Sequence, residues 1–167
     1  MQRFLLLLSL SVAALAQPVT DQMLANPDPA DWLMWRRTYN GWGYSALNQI
    51  NKDNVGRLER AWTFRTGDLP GELWGAETTP LKIGDTVYLC SARNKLFALD
   101  ANTCQQKWTY DPQVADDQIP YTAACRGVAY HARANANPVE PCAVKIIEGT
   151  LDGRIIAVDA RTGRPCP

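Results

Sequence analysis

The sequence lacks an excess of either charge. Over 167 residues, 17 Lys and Arg stand against 17 Asp and Glu, a formal net charge of zero. No basic run breaks that balance, so the chain has no electrostatic footprint for a nucleic acid or an anionic membrane surface. Histidine is nearly absent. The one imidazole, His131, has no second His and no neighbouring Cys or Asp, which excludes a His-based metal site. A long apolar run is missing too. The most apolar stretch, FLLLLSLSVAALA behind Arg3, falls several residues short of the ~20 that span a bilayer.

That short run is instead a targeting signal. One Arg, an apolar segment and the small residues of Ala14-Leu15-Ala16 before Gln17 mark residues 1–16 as a signal peptide, and the mature protein as periplasmic or secreted. Export permits disulfides among the five cysteines. Residues 17–30, polar and Pro-containing, read as an extended N-terminal arm, and residues 31–167 as the folded part. The length suits one domain, and 46% hydrophobic with 20% charged residues is ordinary for a globular core.

Between Asn40-Gly41 and Ala61 the chain shows turn signals, with room for a short helical turn in NKDNVGRLERAW. From Ala61 the pattern is that of strands. AWTFRTG, TTPLKIGDTVYLCSA, NKLFALDANT, QKWTYDP, AVKIIEGTLDG and RIIAVDARTG are short runs rich in β-branched and aromatic residues, each bounded by Gly, Asp, Asn or Pro. The expected class is all-β.

One phrase occurs twice. Ala98, Asp100, Ala101 and Thr103 in LFALDANTCQQKW return as Ala157, Asp159, Ala160 and Thr162 in IIAVDARTGRPC, each 59 positions on. Strands recurring at this spacing suggest the stacked sheets of a β-propeller. The phrase suits a blade edge: a small Ala admits the neighbouring blade, and Asp followed by Thr-Gly supplies oxygens and a residue with positive φ for a tight hairpin. Trp108, just after the first copy, is the expected plug between blades.

Ala-x-Asp-Ala-x-Thr-Gly-x-x-x-Trp resembles the blade signature of quinoprotein dehydrogenases, the enzymes dependent on pyrroloquinoline quinone. The resemblance extends in order through GWGYSALNQINKDNVGRLERAWTFRTGDL, ETTPLKIGDTVYLCSARNKLFALDA, ACRGVAYH and DGRIIAVDARTGRPC. It implies an eight-bladed propeller, of which this chain covers about the first three blades. A set of three leaves edges unpaired, so the expectation is an N-terminal portion, either a fragment or a truncated gene product.

The resemblance also assigns residues. Glu77 matches a glutamate that contacts the cofactor, Arg126 an arginine that approaches the quinone oxygens, and His131 closes the same RGVAYH motif. A fixed cation at Arg126 would favour the charge that builds on a quinone under reduction. Alcohol-oxidising members carry an adjacent Cys-Cys pair here; Ala124-Cys125 makes this chain similar to the membrane glucose dehydrogenase branch. The implied activity is oxidation of an alcohol or sugar hydroxyl, with pyrroloquinoline quinone and calcium as cofactors and a quinone or cytochrome as electron acceptor. No catalytic residue and no metal ligand is expected within this chain, because the family places them further along. Membrane association is left open. Ala46 stands where the family has Pro, and the glucose branch begins with membrane spans where this chain has a signal peptide.

A second reading is a non-catalytic propeller of the cell envelope, similar to the lipoprotein scaffold of outer-membrane assembly. That scaffold needs a lipid-bearing Cys at the cleavage site, where this chain has Gln17. Cys104 occupies the family's turn glycine, so it must take positive φ and is the cysteine expected to stay unpaired. The other four allow three connectivities; Cys142–Cys166, flanking one hairpin, with Cys90–Cys125 is favoured.

Overall fold

The computed structural model describes residues 19–68, 76–119, 121–135 and 137–167. The signal segment, residues 1–16, lies outside the described residues, and so does the start of the arm. Among the described residues no helix is long and apolar enough to cross a membrane.

The arm differs from the extended expectation. Asp21–Ala25 form a short helix, α1, whose start is capped by the Thr20 hydroxyl accepting from the Met23 amide at 3.2 Å, with Asp21 in the first turn. An acceptor at the cap and an acid in the first turn both satisfy the free N–H groups there, which outweighs the flanking prolines. Arg37 then ties the arm down. It is buried, and its guanidinium donates to the carbonyls of Pro27, Asp28 and Tyr44.

The rest is β-structure with one short helical turn at Val55–Arg57 and another at Asp116–Gln118. Strands β1 (Leu81–Ile83), β2 (Thr86–Cys90), β3 (Leu96–Asp100) and β4 (Gln106–Tyr110) form one antiparallel sheet in that order. Strands β5 (Ala129–Ala132), β6 (Val144–Gly149) and β7 (Ile155–Asp159) form a second. Strand β5 begins within ACRGVAYH, a stretch not included among the expected strands. AWTFRTG, in contrast, forms no ladder. Among the described residues its backbone pairs with no strand, Trp62 stays 41% exposed, and Phe64 packs edge-on against Phe97 at 5.2 Å. Two sheets are assembled among the described residues.

The sequence repeat is a structural repeat. Thr86 pairs with Asp100 across β2 and β3, and 59 residues later Lys145 pairs with Asp159 across β6 and β7. Leu99↔Gln106 likewise becomes the isolated bridge Val158↔Pro165, the first pairing of a fourth strand in the second sheet. Both aspartates build the same turn. Asp100 Oδ1 accepts from the amides of Asn102 and Thr103 and from the Thr103 hydroxyl; Asp159 Oδ1 accepts from the amides of Arg161 and Thr162 and from the Thr162 hydroxyl. The Thr103 backbone bond leads the effects that hold Asp100 below the usual carboxylate range. Cys104, with φ +61, and Gly163, with φ +69, close the two turns in left-handed geometry.

The core lies between the sheets. Tyr88, Cys90, Leu96, Ala98 and Trp108 from the first meet Cys125, Val144, Ile146, Val158 and Ala160 from the second. Each buried large aliphatic contributes about 1.5–3 kcal/mol. Trp108 plugs the interface: its indole N–H donates to Ala160 O at 2.9 Å, joined there by the Tyr88 hydroxyl at 3.2 Å, and its ring lies flat on Gly163. A Cβ built on Gly163 would sit 2.7 Å from Trp108 Cε3. Two disulfides complete the frame, Cys90–Cys125 and Cys142–Cys166, and Cys104 is free. This is the favoured pairing.

Candidate functional site

The segments ahead of β1 and β5, the first strand of each sheet, run side by side. Thr79 and Gly127 form a parallel bridge, and the Thr79 amide donates to Arg126 O at 3.0 Å. A Cβ at Gly127 would stand in ordinary contact with Thr79 O, at 3.5 Å, so the bridge itself does not require the glycine. On the other side of Arg126, Cys125 is anchored through its disulfide to the end of β2. The Arg126 backbone is thus held from both flanks while its side chain remains 81% exposed.

Arg126 Nη1 meets Glu77 Oε2 at 2.9 Å. Solvated pairs of this kind contribute about 0–1 kcal/mol to stability, so the fold does not depend on it. Its effect is to hold a cation and an anion at the rim of a cavity of about 720 Å³. The cavity is bounded by Trp35, Glu77, Thr79, Arg126, the buried Glu148 and the ends of β6 and β7 at Gly149 and Ile155. The Arg36 guanidinium lies 4.8 Å over the Trp35 ring, packing one face of that wall.

Two of the three residues expected from sequence are therefore brought together. His131 is not among the cavity walls. It sits on β5 two residues beyond Ala129, which does bound the cavity, so by strand alternation both occupy one exposed face. Trp35 went unrecognised, because 42 positions separate it from Glu77 and no local pattern links them. Glu148 was missed although a signal existed: within AVKIIEGTLDG it falls on the inward alternation of Val144 and Ile146.

The donor set suits a flat organic anion. The lining combines one exposed guanidinium, paired with Glu77, an aromatic wall and the buried Glu148; Arg126 is the group that can meet an anionic oxygen, and the volume lies in the range of cofactor pockets. Calcium is not matched. Among the described residues the one cluster of ligand type is Cys90, Cys125 and Glu148, whose sulfurs are joined to each other, whereas calcium takes six to eight oxygens.

Residues 32–167 match the family described as glucose/ethanol/alcohol dehydrogenase, PQQ type, β-propeller domain. The chain belongs to that family. It is 44% identical over 150 residues to the glycerol dehydrogenase large subunit of Gluconobacter thailandicus, covering 87% of this chain and 20% of that protein. Quinoprotein glucose dehydrogenase of Escherichia coli is 43% identical over 159 residues, covering 89% and 19%. In fold it is similar to the quinohemoprotein alcohol dehydrogenase from Comamonas testosteroni, with a TM-score of 0.74 and 30% identity over 93% of this chain and 22% of that one. The chain thus spans about a fifth of the length of the curated relatives it matches, and its two sheets are blades of a quinoprotein β-propeller.

Proposed function

We propose that this chain supplies one wall of the pyrroloquinoline quinone site in an exported oxidoreductase that oxidises a hydroxyl of an alcohol or sugar. The observation that carries the reading is the Glu77–Arg126 pair at the rim of the cavity, in segments that belong to the quinoprotein family. Pyrroloquinoline quinone, when bound, supplies a two-electron acceptor; the residues here supply binding and orientation.

Arg126 places a permanent cation where a carboxylate or quinone oxygen can meet it. Glu77 keeps the guanidinium directed across the rim in the absence of ligand, which reduces the ordering cost of binding. Trp35 offers an apolar face to a planar ring, and its position under Arg36 limits its rotamers. His131, on the same face of β5 as Ala129, is assigned to the substrate side. Calcium, a base and the electron acceptor, a quinone or cytochrome, are assigned to parts of the family's architecture other than residues 19–167.

Equilibrium dialysis of pyrroloquinoline quinone against the purified chain tests the reading. Saturable binding is expected, weakened at least about tenfold by Arg126→Ala, the loss of a charge-assisted contact of about 1.5–3 kcal/mol, and less by Glu77→Gln. Binding that is unsaturable, or indifferent to Arg126→Ala, removes these residues from the site.

A further inference from the structure

In the wall of the same cavity, against the residue that precedes Arg126, lies a carboxyl group that the proposed function does not use. Glu148 is only 3% exposed. Its Oε1 accepts from Asn94 Nδ2 at 2.7 Å and touches Cys125 Sγ at 2.8 Å; among the described residues its Oε2 has no partner. Cys125 is bonded to Cys90, so its sulfur has no proton to give. Asn94 is itself fixed, 1% exposed, with its Oδ1 accepting from the Leu151 amide at 2.9 Å. Glu148, on β6, therefore bonds the β2–β3 turn and lies against the residue preceding Arg126, while Asn94 reaches the β6–β7 turn.

The charged groups on the surrounding elements are engaged elsewhere. Arg93 and Lys95, which flank Asn94, pair with Asp116 and Asp111; Arg126 pairs with Glu77, and Arg154 with Asp152. Asp68 accepts from the Ser91 hydroxyl and the Arg93 amide. On β6, Lys145 alternates to the opposite face. On β5, His131 is exposed and Tyr130 is a half-buried phenol pushed up to about 12 by burial. Among the described residues Glu148 is thus buried without a cation paired to it, and an ionised form would leave a full charge uncompensated. Burial raises its pKa to about 8, the Asn94 bond offsetting only part.

We propose that Glu148 is a positioning residue for the candidate site: as a neutral acid it packs beneath Cys125 and fixes the Arg126 segment, and its ionisation favours release of that segment. The role rests on the reading of Glu77 and Arg126 as the ligand-facing pair. The direction with pH follows from linkage. In the closed form the group stays protonated up to about pH 8, whereas once solvated it ionises near its ordinary 4.5. Closure is therefore strongest below pH 4.5, weakens by up to about tenfold per pH unit between 4.5 and 8, and levels off above.

Hydrogen exchange at the Thr79 amide, which donates to Arg126 O, reads this opening in the full chain. Corrected for intrinsic exchange, its protection is expected to fall up to about tenfold per pH unit from pH 5 to 7.5 and to flatten beyond 8. Glu148→Gln, a neutral side chain of the same shape, should remove that slope. A native slope of zero, or one that Glu148→Gln leaves unchanged, overturns the proposal. The carboxyl ¹³C shift of Glu148 in the unsubstituted chain checks it without any variant: a midpoint near 8 supports it, and one near 4.5 refutes it. Neither measurement involves a cofactor, so a failure of the quinone assignment would show separately, in dialysis.

Discussion

Replacing Gly163 by Ala tests how the two blades lock together. Gly163 holds φ +69 at the second hairpin turn, and an added Cβ would lie 2.7 and 2.8 Å from Trp108 Cε3 and Cδ2. Both atoms belong to a rigid indole that is tethered by its N–H to Ala160 O at 2.9 Å, so the ring cannot slide away without weakening that bond. Left-handed geometry with a Cβ costs about 1–2 kcal/mol, and forcing a methyl into a packed interface about 1–3 more. Gly153→Ala is the matched control. Gly153 has φ +83 and nothing within 4 Å of its ideal Cβ, so it incurs the backbone cost alone. At about 2–4 °C per kcal/mol, Gly163→Ala should melt several degrees below Gly153→Ala, with a changed near-ultraviolet Trp signal. Equal melting temperatures would show that Trp108 does not depend on the bare glycine surface, and the account of blade packing would fail.

Cys104→Gly should raise the denaturant midpoint by about 1 kcal/mol in stability, because it relieves φ +61 at the repeat counterpart of Gly163; a fall in midpoint would contradict this. Removing Cys142–Cys166 by paired Ser substitutions should cost about 3 kcal/mol for a bridge between cysteines at a sequence separation of 24, measured in the same unfolding assay. Non-reducing peptide mapping should recover Cys104 unpaired, and finding it in an intramolecular bridge would refute the assigned framework. N-terminal sequencing of exported protein should begin at or near Gln17, and retention of Met1 would argue against cleavage.

Much of the architecture was legible because the repeated phrase has a local physical cause. Asp100 and Asp159 cap their own turns with side-chain oxygens, an interaction encoded within three residues. Trp108 was readable as a plug for the same reason: its place after the turn fixes its face. AWTFRTG was misread because strand propensity carries no information on whether a partner edge is present. The helix at Asp21–Ala25 was hidden by neighbouring prolines, although Thr20 and Asp21 are ordinary start signals. At the site, Glu77 and Arg126 were reached through family likeness alone, since 49 positions separate them and the pairing of the Thr79 and Gly127 segments that brings them together is not local. Glu148 shows the opposite case. Its alternation with Val144 and Ile146 announced a buried acid, yet its neighbours Asn94 and Cys125 come from distant turns.

The central claim is that residues 32–167 form a working wall of a quinone site. A chimera tests it most directly, with these residues replacing the corresponding segment of Escherichia coli quinoprotein glucose dehydrogenase, to which the chain is 43% identical. Loaded with pyrroloquinoline quinone and calcium, the chimera should oxidise glucose with an artificial dye as acceptor, and Arg126→Ala should lower that rate at least about tenfold at limiting cofactor. A folded chimera that binds no quinone, or one whose activity is untouched by Arg126→Ala, would contradict the account.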